Sequence, residues 1–417
     1  MAEPTETTET TQTKSRIELK RSITLIPLTL YGIGVTVGAG IYVLVGEAAG
    51  AAGSAAPLSF ILAALVVAPT AFSFGELSSR LPRSAGEAVY VGEAFGSAGL
   101  TRFIGLFVAA AGIVSAAAVA IGAAGYLREF VEVPRVLTVF LLIFVLGAIA
   151  AWGVVQSMAV AAAISLFEVG ALIWIVILGA PAISDPLVHL QAVWPQGGAA
   201  QWVGVGSATL LAFFAFVGFE DIVNMAEEVK APERTVPRAI VLTLLMTTAL
   251  YLSVAFVAIT AVSPADLARQ EAPLAYVYAA ATGRDPAVIS AIAVGSTLNT
   301  VLIQMLMASR VLYGMARERA LPAWLGKVSP VTRTPLLATF VVVAIVTALA
   351  VLLPIGGLAR ATSVIILIVF TTVNLALVRI KLRAGPQPAF AVPLWVPIAG
   401  AGVSGLVLTF EFARLMF

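Results

Sequence analysis

The chain of 417 residues is 60% hydrophobic and only 11% charged, with a formal net charge of +2. A water-soluble domain carries about 25% charged residues, so this composition excludes an ordinary soluble fold and points to a membrane protein. There is no cysteine and a single histidine, His189. That excludes disulfides, thiolate chemistry, Cys- or His-based metal sites and histidine-dependent triads, so an enzyme is not expected. The small net charge argues against a nucleic-acid partner, and nothing in the composition calls for a cofactor or a metal.

Residues 1–18 are rich in Thr and Glu and almost free of apolar side chains, which predicts a disordered tail. The tail lacks the basic start and apolar centre of a signal peptide, so the first apolar run is expected to stay as an uncleaved span. Eleven apolar stretches follow, at about 24–49, 55–78, 100–126, 133–151, 157–180, 202–226, 236–261, 286–313, 335–353, 358–380 and 394–416. Each is near the roughly 20 residues a helix needs to cross a bilayer. Backbone groups in hydrocarbon must be satisfied within the segment, so the expected fold is an all-α polytopic membrane protein of about eleven spans. The connections on the N-terminal side hold most of the Lys and Arg, among them Lys20, Arg80, Arg102, Lys230, Arg317 and Lys381. The positive-inside rule then places the N-terminus in the cytoplasm, and the expected location is the cytoplasmic membrane. Two further segments read as non-spanning: 85–96, amphipathic, along the inner face, and 264–283, an outer loop with a short helical pattern at 273–281. Both read equally as connectors or as gate elements.

Glycine punctuates the spans unevenly. Span one carries Gly32, Gly34, Gly38 and Gly40, and span six carries Gly218 within an aromatic run. Each opens a block of five spans, and matched interruptions in two halves point to an inverted-repeat transporter with its site at mid-membrane. The halves are 19–180 and 181–383, with span eleven, 384–417, added outside them.

Four features could carry chemistry. The run Gly38-Ala39-Gly40-Ile41 could unwind span one and present backbone N–H groups to a carboxylate; the same spacing also fits close helix packing. In span six, Phe213, Phe214, Phe216 and Phe219 surround Gly218 and are followed by Glu220 and Asp221. Ionisable groups inside a span are costly and usually have a role or a partner. Glu168, near the middle of span five, suits either a proton carrier or a hydrogen-bonded structural acid. Span eight presents Ser296, Thr300 and Gln304 on one helical face, near Thr297, Asn299 and Arg310; their simplest role is interhelical hydrogen bonding.

Five segments, in this order, resemble the amino acid–polyamine–organocation superfamily of transporters. They are Gly38–Ile41, Tyr90–Gly96, Phe214–Glu220, Ala226–Ile240 and Ser309–Arg317, the last leading into Leu321-Pro322. The resemblance implies the five-plus-five inverted-repeat (LeuT-like) fold and alternating access. It implies a substrate between spans one and six, its carboxylate at Val37, Gly38, Ala39, Gly40 and Ile41. The amino group would meet carbonyls near Ala215, Val217 and Gly218, with Phe214 and Phe216 as gating aromatics. Glu168 falls where several proton-coupled relatives have lysine, and a carboxyl there reverses the charge cycle, which implies either proton coupling by a different route or a bound cation such as sodium. Glu168 and Glu220 are the expected proton-coupling acids. The sequence departs from the pattern of twelve spans by ending after eleven. The implied activity is secondary uptake of an amino acid by symport with a proton. Alternatives are a polyamine or amine exchanger and, from another class, a non-transporting sensor or channel on the same fold.

Overall fold

The computed structural model describes residues 21, 23–82, 86–152, 158–182, 191, 193–317, 321–329, 334–383 and 386–416. The expected tail, 1–18, and His189 lie outside the described residues. Among the described residues the architecture is helical, and its one β feature is an isolated bridge between Ile23 and Val229. The helices are α1 (Leu25–Ala52), α2 (Ala56–Arg80), α3 (Gly86–Phe95), α4 (Ala98–Leu127), α5 (Arg135–Trp152), α6 (Met158–Gly179) and α7 (Gly198–Phe216). They continue with α8 (Pro232–Ala261), α9 (Pro264–Leu267), α10 (Pro273–Thr282), α11 (Ala287–Arg317), α12 (Leu336–Leu352), α13 (Ile355–Lys381) and α14 (Trp395–Met416).

Seven described stretches are long and apolar enough to cross a membrane, and three shorter apolar helices lie at Arg135–Ala151, Ser165–Gly179 and Leu336–Leu352. The first stretch, Leu25–Arg80, holds both α1 and α2. Every one of the eleven expected spans therefore has its helix, and α3 and α10 are the two expected non-spanning segments. Large apolar side chains such as Phe140, Phe144, Leu166, Phe167 and Leu406 stand exposed on the outside of the bundle. In water such a surface would aggregate; against acyl chains it is the solvated face.

α1 lies at the centre of the packing, against α7, α8, α6 and α11. Span six is interrupted. α7 ends at Phe216, Gly218 takes φ 125°, and the chain resumes as a 3-10 helix over Phe219–Glu228. Only glycine reaches that φ without strain. Span one, in contrast, is one unbroken helix from Leu25 to Ala52. The expectation of an unwound turn at Gly38–Ile41 is therefore corrected. The physical reason is packing: a Cβ at Gly40 would overlap the Ala215 backbone, one at Gly32 would overlap Ile222, and one at Gly34 would overlap Ser165. These glycines let α1 lie flush against its neighbours, the use small residues have where helices meet in lipid.

The N-terminal face, which bears α3 and the basic connections, is laced by ion pairs. Glu76 on α2, fully buried, receives Arg80 and Lys381 at 2.7 Å each and the Val392 amide at 2.8 Å. Arg383 donates to the carbonyls of Glu93 and Ala94, fastening α13 to the end of α3. On the opposite face, α9 and α10 lie across α1 and α4. Arg128 pairs with Glu271, the Tyr126 hydroxyl accepts from the Leu274 amide at 3.3 Å, and Gly46 faces Leu267 and Pro273.

Candidate functional site

The break in span six is built against α1. Tyr251 of α8 donates its hydroxyl at 2.8 Å to two carbonyls, Thr36 on α1 and Ala215 on α7. One fully buried phenol thus ties the two helices a few residues before the break. Phe216 and Phe60 pack edge-on to the Tyr251 ring at 5.1 and 6.0 Å, and Phe219 stacks at a tilt on Phe370, 5.5 Å away. Gly218 itself leaves no room: a Cβ there would come within 2.9 Å of the Val35 carbonyl oxygen. Its freed amide donates to Glu220 Oε2 at 2.8 Å. The broken helix therefore satisfies that amide internally, with an acid two residues along its own chain.

The residues expected to bind substrate come together here. Val37, Gly40 and Ile41 on α1 and Phe214, Ala215 and Phe216 on α7 are all buried, with Val217 and Gly218 at the break. Gly38 and Ala39 lie on the same stretch of α1. Beside the break is a small cavity of about 40 Å³, lined by Val217, Glu220, Asp221, Gly112, Ser115 and Gln304 among others. That is far below the roughly 300 Å³ or more of a typical ligand pocket, so cargo would enter only if neighbouring helices separate. A wider vestibule of about 570 Å³ lies on the N-terminal side, lined by Tyr31, Glu87, Arg102, Met225, Arg310 and Met315. Glu87, Val108, Met307 and Val311 line both spaces, so the vestibule leads to the cavity. The opposite face is covered by α9 and α10. The molecule is open toward its N-terminal face and closed at the other.

Glu168 is not part of this cavity. It is buried between α6, α1 and α11, where Ser296 hydrogen-bonds its carboxyl and the Tyr42 hydroxyl donates to its backbone carbonyl at 2.9 Å. Its Oε2 has no hydrogen-bond partner among the described residues. The polar face of span eight serves both regions. Ser296 meets Glu168, Thr300 lines a crevice with Tyr31, Gly34 and Ser165, and Gln304 lines both that crevice and the inner cavity. Arg310 is exposed and belongs to the vestibule.

Sequence reasoning missed three residues. Tyr251 was recoverable, because a phenol within an apolar span needs a partner for its hydroxyl. Tyr126, which donates to the Tyr42 carbonyl at 2.6 Å, carries the same signal. Glu87 carried only the signal of an acid on an amphipathic connector. It lies on α3, outside the spans, yet it is 7% exposed and burial pushes its carboxyl up to about 7, against a lowering hydrogen bond from its own amide. Among the described residues, no cluster of His, Cys, Asp and Glu suited to a metal ion is found.

A helical bundle of membrane-spanning length around a broken span, opening to one side through a vestibule, has the architecture of a membrane transporter. The amino acid permease profile matches residues 23–416, and the chain belongs to that family. It is 28% identical to a branched-chain amino acid permease of Bacillus subtilis, over 95% of this chain and 88% of the relative. Identity to a methylthioribose transporter of the same organism is 29%, over 96% and 90%. A vacuolar cationic amino acid transporter of Arabidopsis thaliana is 27% identical over 85% of this chain and 62% of its own length.

Proposed function

We propose that the protein is a secondary transporter that carries an amino acid across the cytoplasmic membrane by alternating access. Its two halves, 19–180 and 181–383, act as inverted repeats, and the N-terminal face is the cytoplasmic one. The observation that carries this reading is the break at Val217–Gly218, set against the flush-packed glycines of α1 at the inner end of a one-sided vestibule. A backbone break there is the cheapest way to offer main-chain groups to a polar cargo inside hydrocarbon.

In this reading, cargo occupies the space between Val37–Ile41 and Phe214–Gly218, with Phe214 and Phe216 closing over it. Its amino group lies toward Glu220 and Asp221. The state described is inward-open and empty of room for cargo, so α1 and the break must part for binding. Relatives named for branched-chain and for cationic amino acids bracket the cargo. The acidic lining of the inner cavity favours a cargo with a free amino group, a polyamine included. Glu168 and Glu220 carry the coupling proton; both are buried, and Glu168 has an oxygen available to a proton or a sodium ion.

The test is accumulation of labelled leucine and labelled lysine by proteoliposomes, with and without an imposed proton gradient. Gradient-dependent accumulation of either is expected. Failure to accumulate or exchange any amino acid or amine would overturn the reading.

A further inference from the structure

The vestibule and the inner cavity meet at one acid that the expected transport machinery does not use. Glu87 is the second residue of α3, a helix that packs on α4 and α13 and does not span the membrane. It lines both spaces, whereas Glu220 and Asp221 line the inner cavity alone. Its carboxyl therefore lies where the inner cavity and the vestibule adjoin.

The groups around it are few. Tyr31 comes from α1, Arg102 from α4, Arg310 from α11, Tyr90 from α3 itself, and Glu220 and Asp221 from the segment after the break. The side chains that α13 contributes to the cavity, Ile366, Val369 and Phe370, are apolar. Glu87 is thus an acid between apolar walls at the point where the two spaces meet, with acids on its inner side and water-accessible vestibule on its outer side.

We infer that Glu87 is the exit group for the coupling proton, taking it from Glu220 and releasing it to the vestibule. The step balances: an O–H bond breaks at Glu220, leaving a carboxylate, and one forms at Glu87 through intervening water. The O–H bond at Glu87 then breaks toward vestibule water, restoring its carboxylate. A group with half-titration near 7 is suited to that exchange at neutral pH. This rests on the transport reading above and adds the group that sets its pH dependence on the N-terminal side.

Two measurements test it. The first is uptake of labelled leucine or lysine by proteoliposomes of one orientation, as the pH bathing the N-terminal face is varied from about 6 to about 8. Wild type should change rate about tenfold across that range, one protonation event per cycle. Glu87→Gln should keep its response to the opposite side and lose this one, and Glu87→Asp should retain it with a displaced midpoint. An unchanged profile in Glu87→Gln overturns the inference. Should that variant not fold, an undisplaced midpoint in Glu87→Asp overturns it.

The second measurement needs no transport. A buried acid with its affinity for protons raised on folding destabilises the folded protein above about pH 7, and the penalty fades as pH falls to the ordinary carboxylate range. Glu87→Gln should therefore raise Tm at pH 8 and leave it unchanged at pH 4.5. An equal change at both pH values overturns the inference. If wild type moves no cargo, the transport reading and the exit role fall together, and the Tm series still reports whether Glu87 titrates on folding.

Discussion

Spans one and six are expected to be counterparts, yet they use glycine in opposite ways. α1 holds four glycines within nine residues and remains a continuous helix, because a Cβ at three of them would overlap a neighbour. Span six breaks at a single glycine whose φ of 125° is closed to other residues. Glycine count thus reports close approach, whereas a break requires a position where the backbone must turn and a group that receives the freed amide. In span six that group is Glu220; on α1 the contact from Tyr251 is a hydroxyl donated to the Thr36 carbonyl, which frees no amide. One helix supplies a smooth wall and the other supplies the break.

Predictions that break this comparison begin at Gly218. Gly218→Val meets both a forbidden φ and the Val35 carbonyl, so a loss on the order of 3 kcal/mol or more and abolished uptake are expected. A folded, active variant by thermal melting and uptake would remove the break from the mechanism. Gly40→Val must push α1 off the Ala215 backbone, with an overpacking penalty of about 1–3 kcal/mol and loss of substrate binding. Full binding by equilibrium dialysis in that variant would deny α1 its place beside the cargo.

Tyr251→Phe leaves two carbonyls without their shared donor and should cost about 1–2 kcal/mol, read as a lower Tm. Because the hydroxyl joins the two spans, transport should slow as well; a lower Tm with unchanged rate would make the tie structural alone. Glu168→Gln has the smallest structural effect, since it is nearly isosteric and one carboxyl oxygen has no partner among the described residues. It should abolish gradient-driven accumulation and keep counterflow exchange. Unchanged pH dependence in that variant would discard its role in coupling.

The spans were legible from the sequence because the bilayer imposes length and internal hydrogen bonding together, and both leave marks in composition. The break at Gly218 was legible for a related reason. Paired acids are expensive in hydrocarbon, so a glycine just before them marks a place where the backbone opens to polar groups. The state of span one was not legible, since Gly38-Ala39-Gly40 is the same string whether it unwinds or packs. Only the partner surface, Ala215, Ile222 and Ser165, decides, and it comes from residues far along the chain. Glu87 stayed hidden for the same cause. Its helix is covered by α4 and α13, and Gly86 beside it faces Val223 of the segment after α7, none of which the amphipathic pattern of 85–96 reports.

The central claim is that cargo binds between α1 and the break in span six, reached from the N-terminal face. The chain has no cysteine, so a single one can be placed without background. Ser115 lines the inner cavity beside Val217 and Glu220. With Ser115→Cys in proteoliposomes, a small thiol reagent should modify the site from the N-terminal side, and leucine or lysine, whichever is transported, should protect it. Modification at the same rate with and without the transported amino acid would contradict the account.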